Sequence, residues 1–101
     1  MKQGELWLLE EPDKRRPVCV LTRDEAIPVL TSVVVVAATT NRRGAPSEMR
    51  LDVEDGVGQP CVLNFDNILT APKSRLTQRL GSLPAERINE LCGMLAFATA
   101  C

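Results

Sequence analysis

The sequence contains no histidine and no tyrosine, and its aromatic side chains are two phenylalanines and one tryptophan. The lack of histidine excludes histidine-based zinc sites, serine–histidine triads and the paired-imidazole route to RNA cleavage. Any proton transfer must therefore use carboxylates, lysine, arginine or hydroxyl groups. Three aromatic side chains are too few for an extended base-stacking surface. The single Trp7 is interpreted as a core residue, with stacking on one RNA base as the alternative.

Long apolar runs and a net charge of either sign are also missing. The formal net charge is −1, which excludes a globally basic nucleic-acid-binding protein. The longest strongly apolar run, Val33–Ala38, is too short to span a bilayer. Residues 1–11 have no apolar core or cleavage site of a signal peptide. We therefore expect a cytoplasmic protein, with a local basic surface in its first half, where the following side chains are concentrated: Lys14, Arg15, Arg16, Arg23, Arg42, Arg43 and Arg50.

The four cysteines have no C-x-x-C spacing. Cys19, Cys61 and Cys92 lie in apolar stretches, where a reduced thiol acts as a small hydrophobic group, and Cys101 receives no role. The chain length of 101 residues suits one domain covering residues 1–101. No metal site or cofactor is expected.

Turn signals at short intervals predict a small β-rich fold. Apolar or alternating segments predict six strands, at Glu5–Leu9, Pro17–Thr22, Val33–Val36, Met49–Val53, Cys61–Leu69 and Leu80–Leu83. The β-branched run of four valines favours a central strand covered on both faces. Met49, Leu51 and Val53 alternate with charged residues, which is typical of a strand with one face in water.

The last segment changes to helical spacing. Ile88, Leu91, Cys92 and Leu95 recur at intervals of three and four residues behind Pro84, which is a favourable residue at a helix start. The order of strands followed by one helix predicts an α+β, mainly antiparallel and barrel-like domain.

Three segments in fixed order resemble the MazF/PemK/Kid family of toxins. Residues 4–7, Gly-Glu-Leu-Trp, resemble the family's opening strand. Residues 16–24 are similar to its second strand, which begins Arg-Pro-Val. Residues 36–41, ending Thr-Thr-Asn, resemble the end of its third strand. A weaker fourth match covers residues 64–67. The resemblance implies an SH3-like antiparallel barrel with a C-terminal helix.

The same resemblance implies a type II toxin that cleaves single-stranded RNA sequence-specifically without a metal, leaving 2′,3′-cyclic phosphate and 5′-hydroxyl ends and inhibiting translation. It implies that Arg16 is the principal catalytic residue, that Thr39 donates to a phosphate oxygen, and that Asp66 matches a proposed general base. From the residues alone, Arg16 is an ordinary rim arginine, Thr39 a strand former, and Asp66 a carboxylate bonded near a turn. Asn64 stands where the Kid branch carries an arginine, which leaves the role of Asp66 open.

Polar residues around these positions are candidate RNA contacts. Basic side chains could hold phosphates without reading bases, and a solvated basic rim is the alternative. The candidates are Lys14, Arg15, Thr40, Asn41, Arg42, Arg43, Asn64 and Asn67.

Two other functions fit the same fold. A toxin of the CcdB type binds DNA gyrase on this barrel, and a non-catalytic SH3-like module would present its strands to a peptide. Arg16 and Thr39 together favour the nuclease. The family resemblance also implies a homodimer with RNA bound at its two-fold groove, and a MazE-like antitoxin that covers the same surface.

Overall fold

The computed structural model describes residues 1–41 and 43–99, and for residues 97–99 it describes the backbone only. Six strands, one α-helix and three single-turn 3₁₀ helices form this part of the chain. The strands are β1 (Glu5–Glu10), β2 (Arg15–Val20), β3 (Ser32–Thr39), β4 (Glu48–Leu51), β5 (Cys61–Pro72) and β6 (Leu76–Ser82). Helix α1 is Ala85–Thr99, and the 3₁₀ turns are Ile27–Val29, Val53–Asp55 and Lys73–Arg75.

All six strands belong to one antiparallel sheet with the order β4-β5-β3-β2-β1-β6. The first strand therefore lies between its sequence neighbour β2 and the last strand β6. The sheet curls into a half-barrel and α1 packs against β4 and β5. The predicted antiparallel barrel with a C-terminal helix is confirmed.

The central strands pack against an apolar core on each of their two faces, and the two cores are separate. In β2, Val18 and Val20 face one core while Cys19 faces the other. One core contains Val33, Val35 and neighbours from β1, β5 and β6. The second core is closed by Leu91 of α1. Alternation along each strand thus determines which core receives each side chain.

A close backbone contact fixes the curl at its far edge. Gly81 of β6 lies against the backbone of Asp55, and a Cβ atom on Gly81 would stand 2.6 Å from the Asp55 carbonyl oxygen. Gly56 has a φ of +107°, and a Cβ atom there would lie 2.6 Å from the Leu80 carbonyl oxygen. Only glycine allows two backbones to approach this closely.

Three predicted orientations are wrong. Val34 is 38% exposed, because neither core extends over β3 at that point. Val53 is 59% exposed, because β4 ends at Leu51 and the chain turns into a 3₁₀ helix, which breaks the alternation. Cys92 is exposed on α1, so the buried stripe of this helix is narrower than its apolar sequence predicts.

Several strand ends also differ from prediction. Strand β2 begins at Arg15 because residues 11–14 form a tight hairpin turn closed by backbone hydrogen bonds between Glu11 and Lys14. Strand β6 begins at Leu76 although its next three residues are polar. These residues are exposed on an edge strand, where polar side chains cost little. In the described part of the chain, no helix is both long and apolar enough to cross a membrane.

Candidate active site where strands β2 and β3 separate

An open cleft of about 410 Å³ lies where β2 and β3 stop pairing. Their last paired residues toward the cleft are Val18 and Ala37. Continuing this register by two residues places Arg16 opposite Thr39, on the same face of the sheet as the last pair. The strands have separated at that point, and both residues line the resulting opening.

A bulge in β5 supplies the floor of the cleft. Val36 pairs with Ile68 and Ala38 pairs with Leu63, so one residue of β3 stands against four residues of β5. Residues 64–67 leave the regular pairing with β3, as in a bulge, which changes the direction of their side chains. As a result Asn64 and Asn67 both line the cleft.

The lining combines cationic side chains with hydroxyl and amide groups. It brings together most of the RNA-contact candidates from the first half of the sequence with the two asparagines of the bulge. The residues are Lys14, Arg16, Ala37, Ala38, Thr39, Thr40, Asn41, Arg43, Asn64 and Asn67. Three positive side chains around donors and acceptors are suited to bind a phosphodiester.

A carboxylate orients the guanidinium of Arg16. Glu11 lies diagonally across the β1–β2 hairpin, and its Oε1 is 2.6 Å from Arg16 Nε. Both side chains are about three-quarters buried, with 23% of Arg16 and 26% of Glu11 exposed. The contact at Nε is an ion pair without hydrogen-bond geometry, and the two terminal NH2 groups of the guanidinium carry donors that suit a ligand.

The hydroxyl of Thr39 is fixed by the turn that follows it. The backbone N–H of Asn41 donates to Thr39 Oγ1 over 3.1 Å, as in a threonine turn. Because the oxygen accepts this bond, its proton is free to donate to a second oxygen. Thr39 is half-buried at the end of β3, so the backbone and the strand together fix the position of its hydroxyl group.

Asp66 has a different environment from Arg16 and Thr39. Its Oδ2 accepts a hydrogen bond of 2.9 Å from Ser47 Oγ, and its backbone N–H donates to Asn64 Oδ1 over 3.0 Å. The side chain of Asp66 is exposed and does not line the cleft. Ser47 is 8% exposed. The pair therefore joins the bulge of β5 to the loop before β4.

Two other predicted candidates lie away from the cleft. Arg15 is 67% exposed and pairs with Glu10, with Arg15 Nε 2.8 Å from Glu10 Oε1. Trp7 packs half-buried against the core that contains Val33 and Val35, and its indole N–H donates to Glu5 Oε1 over 3.0 Å. This placement supports the core interpretation of Trp7. Arg42, together with Cys101, lies outside the described residues.

Two residues that organise the cleft were missed by the sequence analysis. In the sequence Glu11 follows the first predicted strand, and only the hairpin register places it beside Arg16. Glu48 accepts backbone N–H bonds from Arg43 and Gly44, each of 3.0 Å, and so closes the loop that carries Arg43. The sequence indicates this contact by a carboxylate four residues after a glycine turn. It does not show which N–H groups the carboxylate binds.

None of the cysteines that the structure describes lines the cleft. Burial raises the pKa of Cys19 to about 12, and this thiol faces the core. Within residues 1–41 and 43–99, no three histidine, cysteine, aspartate or glutamate side chains are grouped so that they could hold a metal ion.

Comparison with known proteins gives one family. The profile of the PemK-like, MazF-like toxin of type II toxin–antitoxin systems matches residues 2–98. The "Probable endoribonuclease MazF2" of Mycobacterium tuberculosis is 45% identical over 102 aligned positions, covering 100% of both chains.

Solved structures agree with this family. The Mycobacterium tuberculosis toxin MazF-mt6 superposes with a TM-score of 0.85 at 35% identity, covering 93% of this chain and 94% of that one. A MazE-MazF structure from Deinococcus radiodurans gives a TM-score of 0.83 at 26% identity, covering 99% of this chain and 95% of that one.

Proposed function

Because the chain belongs to the PemK-like, MazF-like family of toxins of type II toxin–antitoxin systems, and is an endoribonuclease of that family, we propose that it cuts single-stranded RNA at a phosphate held by Arg16 and Thr39. One observation supports this most strongly: Arg16 and Thr39 line one cationic cleft, the first oriented by Glu11 and the second by its own turn.

In the proposed reaction the RNA supplies its own nucleophile. The 2′-oxygen attacks the adjacent phosphorus while the bond from phosphorus to the 5′-oxygen breaks, which leaves a 2′,3′-cyclic phosphate and a 5′-hydroxyl. Negative charge grows on the non-bridging oxygens in the transition state. The terminal NH2 groups of Arg16 and the hydroxyl of Thr39 donate to these oxygens, and Lys14 and Arg43 hold flanking phosphates.

Two schemes for the proton transfers differ in the role of Asp66. In the scheme that the contacts favour, water in the open cleft takes the proton from the 2′-hydroxyl and returns one to the 5′-oxygen, while Asp66 remains on Ser47. In the other, Asp66 leaves Ser47 when RNA binds and acts as the general base. Asn64 and Asn67, with Thr40 and Asn41, contact the sugar and bases around the cleaved bond.

A cleavage assay with purified protein tests the proposal. Wild-type protein should cleave single-stranded RNA to cyclic phosphate ends equally well in EDTA and in Mg²⁺. Arg16→Ala and Thr39→Ala should each lower the rate at least about 100-fold, as expected for lost transition-state donors. Circular dichroism should show that both variants remain folded, because neither side chain lies in a core.

Three outcomes would contradict the proposed function. A cleavage activity that EDTA abolishes and Mg²⁺ restores would refute the metal-independent chemistry. Near wild-type cleavage by either variant would remove that residue from the site. If wild-type protein cleaves no RNA but inhibits gyrase, or binds a peptide without cleaving RNA, one of the two alternative functions holds instead.

We further propose a homodimer that is inhibited by a MazE-like antitoxin. The cleft is open on one side and a single small domain offers little concave surface, so a second copy would complete the RNA groove. The antitoxin segment should be acidic, because it competes with phosphates for Lys14, Arg16 and Arg43. Sedimentation should give a dimer at micromolar concentration, and cleavage by a monomer at that concentration would refute the requirement.

A further inference from the structure

A second depression of about 330 Å³ lies beside the cleft, across the end of β3. It shares Ala38, Thr39 and Thr40 with the cleft as a common rim. Its other walls come from the start of β2 and from the segment that leads into β5. A ligand bound at Thr39 can therefore extend in either of two directions.

The chemistry of this depression differs from that of the cleft. Pro17, Val57 and Cys61 form its apolar walls, and Gln59 is the one amide side chain in its lining. No described cationic residue lines it, so it is not suited to a phosphate. Apolar walls with an amide and two hydroxyl groups at the edge are suited to a planar ring that carries hydrogen-bonding groups on its rim.

From this juxtaposition we infer that the depression binds one RNA base next to the cleaved phosphodiester, and that Gln59 reads the hydrogen-bonding edge of that base. The inference rests on the proposed function, because the position of the base follows from a phosphate at Arg16 and Thr39. A base adjoining that phosphate comes from the same short piece of backbone, so it lies within reach of the shared rim.

Gln59 has the properties that base recognition requires. Its amide presents both donors and an acceptor, which allows a paired contact with one base edge. It is exposed, so it is available to a ligand. It follows Gly58, where a Cβ atom would meet no heavy atom within 4 Å. The wall of the depression is thus open at this point.

The first test measures base preference. An RNA oligonucleotide library, randomised on both sides of the cut, is cleaved by wild-type protein, by Gln59→Ala and by Gln78→Ala as the matched control on exposed β6. The wild type and the control should prefer a base at one flanking position by roughly 5- to 150-fold, the discrimination of one good paired contact. Gln59→Ala should lose that preference and keep those at other positions.

The second test fills the depression. Gly58 has no left-handed backbone angle and open space around it, so Gly58→Leu should fold normally and place its side chain in the depression. KM for the preferred oligonucleotide should rise about tenfold or more, while Gly58→Ala, as control, changes it less. The melting temperatures of all variants are measured alongside.

The outcomes separate the inference from the proposed function. If the wild type cleaves the library but Gln59→Ala keeps every preference, or Gly58→Leu keeps the wild-type KM, the inference is wrong and the proposed function stands. If the wild type cleaves no member of the library, the proposed function fails and the inference falls with it.

Discussion

Arg16 is oriented before RNA binds, since Glu11 holds its Nε in a pair that is mostly shielded from water. A guanidinium held in this way loses little conformational freedom when it meets two phosphate oxygens. Glu11→Ala should therefore lower kcat about 10- to 100-fold and leave KM nearly unchanged. Single-turnover cleavage at saturating RNA separates these two effects.

The neighbouring ion pair provides the control for Glu11. Glu10 pairs with Arg15 at a similar distance, but outside the cleft, and 67% of Arg15 and 35% of Glu10 are exposed. Glu10→Ala should keep kcat within about twofold, because exposed ion pairs contribute little. Equal rate losses in the two variants would show that Glu11 acts through the stability of the hairpin and not through Arg16.

Asp66 distinguishes the two schemes for proton transfer. Asp66→Asn keeps an oxygen for Ser47 but cannot act as a base. If water takes the proton, as the contact with Ser47 favours, the rate should remain within a few fold and RNA affinity should change more. A loss of about 10²- to 10⁴-fold, with the acidic limb of the pH–rate profile removed, would make Asp66 the general base. Ser47→Ala is the companion variant, since it frees Asp66 without removing it.

At the level of elements, the contact between Gly81 and the turn after β4 holds β6 against the opposite edge of the curled sheet. Because a Cβ atom at Gly81 would stand 2.6 Å from the Asp55 carbonyl oxygen, Gly81→Ala forces two backbones apart. The free energy of unfolding should fall by about 1–3 kcal/mol, as measured by urea denaturation.

Gly58→Ala is the control for this prediction, because a methyl group there meets open space. It should change the free energy of unfolding by less than about 0.5 kcal/mol. If Gly81→Ala were equally harmless, the two backbones would be able to separate without cost, and the contact would not fix the curl.

The sequence predicts which strands and which helix form better than it predicts where they end and what surrounds them. Hydrophobic period identifies six strands and one helix because the central strands alternate between two cores and β4 alternates between one core and water. The bulge at residues 64–67 leaves no such signal, since it depends on how β5 pairs with β3 and β4 at once. The match to known toxins indicated Arg16 and Thr39, whereas the role of Glu11 became visible only in the register of the hairpin.

For the molecule as a whole, Glu5 links stability to pH. Partial burial by itself raises the pKa of Glu5, but hydrogen bonds from Trp7 and the Lys2 backbone, with the charges of the N-terminus and Arg79, lower the pKa below its ordinary value of 4.5. A lowered pKa in the folded state stabilises the protein above pH 4.5, and this contribution is lost as the pH falls through the folded value.

Glu5→Gln should therefore reduce the free energy of unfolding by about 1 kcal/mol at pH 7, and the difference from wild type should shrink toward pH 3. Urea denaturation at several pH values measures this. Exposed Glu25→Gln is the control, and its difference from wild type should stay small throughout. A Glu5→Gln effect that is the same at pH 7 and pH 3 would contradict the linkage.

The pairing of β1 with β6 determines when, during its own synthesis, the chain can complete its fold and become a toxin. Strand β1 leaves the ribosome first, but one of its two partner strands ends at Ser82. Until that segment emerges, β1 has an unpaired edge and the core that contains Val33 and Val35 lacks Leu76. Contacts so distant in sequence form late and slowly. We expect nascent chains that stop before β6 to cleave no RNA. An antitoxin made at the same time therefore has the whole period of translation in which to reach the toxin.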